Sequence, residues 1–167
     1  YFSHGGLPGV CFLRESKQRQ FKINEQLSTI LERDLNLVKK IQVPVYDIRA
    51  FVSEIAQFQG TPLDYTLLKK RTGISIPTIK KLLYVLEATF IIRLVAIEGT
   101  TRGVTLFFED QAEWSVLRNT VPALIEQLTH LCFTHIRTQF CYRPGENVRT
   151  FQYRTRGGAR IPLAYSD

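Results

Sequence analysis

The chain has 167 residues, 44% of them hydrophobic, and a formal net charge of +7, with a sequence pI near 9.5. That length allows one compact domain or two small ones, and the basic balance favours acidic partners such as nucleic acid or an anionic surface. No apolar run approaches the roughly 18–20 residues of a membrane-spanning helix, so no membrane partner is expected; Cys11, Cys132 and Cys141 lack metal-ligand spacing and read as reduced thiols of a cytoplasmic protein.

Residues 1–15 read as loop, with Gly5-Gly6-Leu7-Pro8-Gly9 a cluster of helix breakers. The chain opens on Tyr1 without a methionine, and it reads as a piece of a longer protein. Residues 16–41 are expected to form a long helix. Leu27, Leu31, Leu35 and Val38 make its apolar stripe, widened by Ile23, Ile30, Leu37 and Ile41. Asp34 falls inside that face, where a carboxylate needs a hydrogen-bonding partner such as a helix start or an arginine. Pro44 ends the pattern. Residues 45–58 then predict a second helix with Ile48, Phe51, Val52, Ile55 and Phe58 facing the core.

Residues 61–108 are the most informative stretch. Gln59-Gly60-Thr61-Pro62 breaks the preceding helix, and Asp64–Thr72 predicts a short one with Leu67 and Leu68 facing in. Gly73-Ile74 is a tight turn. Ser75 is placed to cap the next helix, whose first turn tolerates Pro77. Ile79, Leu82, Leu83 and Leu86 recur at helical spacing. Phe90–Ile97 and Val104–Phe108 predict two strands around the turn 99–103. Helix, turn, helix and hairpin is the layout of a winged helix-turn-helix. The outer face of its second helix carries Pro77, Thr78, Lys80, Lys81 and Tyr84, residue types suited to phosphate and base-edge contacts. Ser75, Thr78, Lys80, Lys81, Tyr84 and, at the hairpin tip, Arg102 are therefore the candidate DNA-binding residues. A merely solvated face is the plainer alternative, and Glu87 weakens the basic character.

Trp114 and Leu117 reappear at helical spacing after residue 109. Residues 121–136 predict a helix with Val121, Leu124, Ile125, Leu128, Leu131, Cys132 and His135 on one face. His130 and His135 are five apart, a poor spacing for a shared metal, and His135 is expected in the core or at its boundary. The tail predicts a three-stranded meander: Gln139–Arg143, Val148–Arg156 and Arg160–Tyr165, with the turn Pro144-Gly145-Glu146-Asn147 between the first two. Arg137, Arg143, Arg149, Arg154, Arg156 and Arg160 accompany Phe140, Tyr142, Phe151 and Tyr153, a mixture able to stack on single strands. The alternating aromatics are more simply a core face, packed on the 121–136 helix.

No phosphate-binding G-x-x-x-x-G-K-[ST] loop, G-x-S-x-G, H-E-x-x-H or C-x-x-C is present. No catalytic residue, metal ligand or cofactor site is assigned within this chain.

The order of motifs resembles the C-terminal part of a family of prokaryotic AAA+-type ATPases. Gly5-Gly6-Leu7-Pro8 resembles the end of that family's lid. Ile30-Leu31-Glu32-Arg33-Asp34-Leu35 resembles its signature helix, and Gly73-Ile74-Ser75 through Phe90-Ile91-Ile92 its winged helix. Phe107-Phe108-Glu109-Asp110 resembles the aromatic-x-Asp after the wing. The resemblance implies that Gly6 and Pro8 stand near a nucleotide bound mainly by an upstream ATPase core, which would supply ATP and magnesium sites. It implies structural roles for Arg33 and Asp34. It also implies a restriction-endonuclease-like domain after the wing, in which Glu126 matches the first acidic position. Arg160 and Pro162 stand at the other two acidic positions, and neither can hold a catalytic cation. Nuclease activity is therefore not expected.

The expected fold is α+β: residues 1–15 as lid end or linker, 16–110 as a helical and winged-helix domain, 111–167 as a degenerate or truncated nuclease-like helix-plus-meander unit. The expected function is that of a non-catalytic, DNA-binding ATPase fragment. The alternative is a protein-interaction or self-assembly module, with a homo-oligomer among its possible forms.

Overall fold

In the computed structural model, which describes residues 5–38, 40, 42–99, 103–118, 120–142 and 149–166, the first helical pattern is one rod in three parts. These are α1 (Ser16–Thr29), a π-helical turn (Ile30–Asp34) and α2 (Leu35–Val38). The π turn follows from the stripe itself. Ile23, Leu27, Leu31 and Leu35 are spaced by four, which drifts around a 3.6-residue helix. One wider turn absorbs the drift and keeps all four buried. The cost falls on the residues after it: Leu37 and Val38, expected on the stripe, are exposed. Asp34 is half-exposed rather than buried, and its partner is the adjacent Arg33, whose Nε donates to it at 2.8 Å. Ile41 lies outside the described residues.

α3 (Val45–Ile55) buries Ile48, Phe51, Val52 and Ile55 as its periodicity requires. The Gln59-Gly60 break then sends the chain along the edge of strand β2 (Gly103–Phe108), with Gly60 N–H donating to Leu106 O at 2.7 Å and Leu63 N–H to Val104 O at 2.9 Å. α4 (Tyr65–Thr72) and α5 (Ile76–Ala88) follow, then β1 (Ile92–Gly99). Phe90, expected to open the strand, instead takes a positive φ of 57° and reverses the chain out of α5. β1 and β2 pair antiparallel from Ile92↔Phe108 to Ile97↔Gly103.

α6 (Gln111–Arg118) buries Trp114 and Leu117 against the helical layer. The indole N–H of Trp114 donates to Ala56 O at 3.0 Å, so a large buried ring carries no unpaired donor. α7 (Leu124–Cys141) contradicts two expectations. Gln139–Cys141, read as the start of a strand, continues the helix, because nothing in the sequence breaks it before Pro144. Arg143 and the turn Pro144–Asn147 lie outside the described residues. The buried face of α7 is also not the aliphatic one. His130, Phe133 and Arg137 meet the sheet, and Phe133 stacks on Phe107 with ring centroids 3.9 Å apart. Val121, Leu124, Ile125 and Leu128 face outward, and His135 is exposed while His130 is buried.

β3 (Arg149–Arg154) and β4 (Arg160–Ser166) form an antiparallel pair with a bulge between Phe151 and Tyr153. They do not form a separate meander. β3 pairs parallel to β1, giving one mixed sheet in the order β2-β1-β3-β4. The α6–α7 passage supplies the long crossover that a parallel pair needs. Gly99 permits the join: its φ is +103°, and a Cβ there would collide with the carbonyl oxygen of Arg154. The coarse α+β expectation therefore holds, with the last two strands added to the sheet that the hairpin begins.

Candidate nucleic-acid interface

The α4–α5 pair is built from local signals. Asp64 caps α4 by accepting the N–H groups of Thr66 and Leu67, both at 2.9 Å. Gly73, at φ 71°, ends α4 in the left-handed conformation that glycine takes without strain. Ser75 Oγ lies 2.8 Å from Thr78 Oγ1 and accepts the Thr78 N–H at 3.4 Å. Both hydroxyls therefore serve the cap of α5. Ile79, Leu82, Leu83, Val85 and Leu86 bury the inner face.

The outer face keeps Ser75, Lys80 and Tyr84 exposed, with Thr78 and Lys81 half-buried. Tyr84 is 60% exposed. The Lys80 ammonium stands 5.6 Å from the Tyr65 ring centroid, a cation–π position that aims it along α4. Lys81 is drawn back, its Nζ donating to Lys40 O at 2.6 Å. The Glu87 carboxylate is engaged away from the lysines. Its Oε1 accepts the N–H of Leu94 at 2.9 Å and lies 3.8 Å from Arg93, so its charge is committed to the start of β1. Lys69 and Lys70 on α4 are also exposed. The run Lys69-Lys70-Arg71 is their signal in the sequence. Arg71 itself is paired with Glu54 at 2.6 Å. Arg102 lies outside the described residues.

Gly6 is tied to the start of α6. Gly6 N–H donates to Asp110 Oδ2 at 2.7 Å, and the same carboxylate caps α6 through Ala112 N–H at 2.7 Å. Pro8 is exposed. Around Asp110 lies a charged cluster. Glu109 pairs with Arg93 at 3.1 Å and with Arg137. His130 Nε2 meets Phe108 O at 2.7 Å, and burial pushes its pKa below the ordinary value. Burial, reinforced by Asp110 and Glu109, pushes Glu113 up to about 8. Among the described residues no three His, Cys, Asp or Glu side chains are grouped to hold a metal.

Glu126, Arg160 and Pro162 line one cleft of about 210 Å³. Glu126 is already engaged, accepting Arg118 Nη1 and the Ala123 N–H, each at 2.8 Å. A larger cavity of about 470 Å³ lies between α1 and α6. Two of its amides are spent on each other, Gln111 Nε2 donating to Gln127 Oε1 at 3.1 Å.

These features define an α+β protein that presents a basic helix face beside a β-hairpin. The family model described as "Domain of unknown function (DUF8612)" matches residues 1–100, and the chain belongs to that family. The match runs from the first residue through α1–α5 and β1. No curated protein and no solved structure matches the chain.

Proposed function

We propose that α3, α4, α5 and the β1–β2 hairpin form a winged helix-turn-helix that binds duplex DNA through the outer face of α5. In this reading Lys80 and Tyr84 enter the groove, Lys69 and Lys70 contact phosphates across α4, and Ser75 and Thr78 hold the helix start in place. The chain then serves as the non-catalytic C-terminal region of an AAA+-type ATPase whose nucleotide and magnesium are bound upstream, with the strands after the hairpin derived from a nuclease-like domain.

The observation that carries the DNA reading is the open α5 face: Lys80 and Tyr84 are exposed, and Glu87, the carboxylate on the same helix, is turned inward to Leu94. Fluorescence anisotropy of a labelled duplex at two salt concentrations tests it. Affinity should fall steeply with salt. Replacing both Lys80 and Lys81 by glutamate should weaken binding by at least about tenfold and flatten the salt slope by roughly one unit for each phosphate no longer neutralised. Unchanged affinity and slope would refute the assignment.

A second reading, a protein-contact or self-assembly module, is supported by the exposed apolar residues Val121, Leu124, Ile125 and Leu128. A concentration-dependent mass in sedimentation, together with duplex affinity indifferent to the lysine variants, would favour it.

A further inference from the structure

A surface helix ordinarily buries its apolar stripe and turns its charges to water. α7 does the reverse. Its two charged side chains are half-buried and paired, Glu126 with Arg118 at 2.8 Å and Arg137 with Glu109. Its solvent side is apolar: Leu124 is 63% exposed, Ile125 69%, Leu128 40% and Ile136 38%. Cys132 is exposed among them. His135 and Gln139 complete the exposed residues of α7 among those described, so this face carries no Lys, Arg, Asp or Glu.

Leu124, Leu128, Cys132 and Ile136 are spaced by four. Residues at that spacing form one ridge of a helix, which packs between the ridges of a second helix at a crossing angle of about −50°. The ridge is large, large, small, large, and it matches itself when reversed. Turned about its midpoint, it sets Leu124 against Ile136 of a second copy and Leu128 against Cys132. A two-fold contact requires such a match, because each copy presents the same patch. The exposed fractions along the face amount to on the order of 600 Å² of uncharged surface, at the upper end of the largest apolar patch on a monomer. A stable pair buries ~800 Å² on each partner, so this face supplies most of what a dimer needs.

We propose that two copies of this chain pair through the outer face of α7, ridge against ridge, about a two-fold axis between Leu128 and Cys132. Charge names the occupant. Each copy has a formal net charge of +7, so two copies meet at least cost where neither presents a charge. A lipid surface is the poorer match. A helix that lies on a membrane carries exposed Lys or Arg beside its apolar stripe, and the single cation of α7, Arg137, is spent on Glu109. The proposal rests on the self-assembly reading and deepens it by naming the surface and the partner. It uses none of the α5 residues assigned to DNA.

Sedimentation equilibrium of the reduced chain over about 1–200 μM tests it. The mass should rise from 19.3 kDa toward twice that value, with a Kd of roughly 10 μM for an interface at the small end of the standard class. Leu128→Glu sets an unpaired carboxylate into the contact from both copies and should raise the Kd at least about a hundredfold. Leu128 lies outside the core, so circular dichroism should show that variant folded. A second readout needs no change to the ridge. In a chain with Cys11→Ser and Cys141→Ser, a short bismaleimide should join Cys132 of the two copies, which stand only about 6 Å apart along an antiparallel pair. A mass of 19.3 kDa at every concentration would overturn both this proposal and the self-assembly reading. A mass that rises equally in folded Leu128→Glu, with no Cys132 cross-link, would overturn the α7 contact and leave self-assembly through another surface. Flotation with vesicles of anionic phospholipid, lost in Leu128→Glu, by a chain that stays monomeric would assign the face to lipid and overturn the pairing.

Discussion

Glu113 offers a direct test of the packing around Asp110. It lies on α6 with 4% of its surface exposed, and burial, then Asp110, then Glu109 push its pKa from 4.5 to about 8. The folded state therefore holds a proton that the unfolded state has released. The stability linked to that proton is fully present below the unfolded value of 4.5 and is lost as pH rises through 8. One proton corresponds to about 1.36 kcal/mol per pH unit. Between pH 6.5 and pH 8 the loss should be about 2 kcal/mol, within a ceiling of roughly 5 kcal/mol for the whole shift. His130 acts in the opposite sense. Its pKa is lowered from 6.5, mainly by burial, so its contribution is present above that value and lost as pH falls. From pH 6.5 upward His130 offsets only about 0.4 kcal/mol, so Glu113 dominates that window. Urea midpoints and thermal scans across that window should show the wild-type Tm falling by roughly 4–8 °C. Glu113→Gln keeps the shape and removes the ionisation, so its curve should be flat and its stability at pH 8 higher than wild type. A flat wild-type curve, or the same slope in the variant, would refute the reasoning.

Two further substitutions probe how the chain ends are joined to the core. Asp110→Ala removes the acceptor for Gly6 N–H and Ala112 N–H. It should cost about 1–2 kcal/mol, as removal of a helix cap does, and hydrogen exchange at Gly6 and Ala112 should accelerate; unchanged exchange would contradict the clamp. Gly99→Ala places a Cβ against the Arg154 carbonyl at a positive φ. It should cost more than about 2 kcal/mol in denaturant midpoint, and near-wild-type stability would mean that β1 and β3 do not meet there.

The local part of this protein is written in its sequence. Ser75, Pro77 and Gly73 mark the ends of α4 and α5, and the Ile79–Leu86 stripe names the buried face, because caps, turns and helical periodicity act within a few residues of one another. The exposed Lys80 and Tyr84 of α5 were legible for the same reason: they are what the apolar stripe leaves outside.

Packing between elements settles the rest. The aliphatic run from Val121 to Leu128 promised a buried face for α7, yet Phe107 and the Phe108 carbonyl on β2 selected Phe133 and His130 instead. Glu87 shares a helix with the lysines, yet its carboxylate is oriented by Leu94 N–H on the next strand. The parallel pairing of β1 with β3, and the cleft that joins Gln59 to Arg160, bring together residues about a hundred positions or half as many apart. No local signal encodes such a meeting. It depends on which surfaces remain unsatisfied after the helices have formed, and only the folded chain settles which of them bury each other.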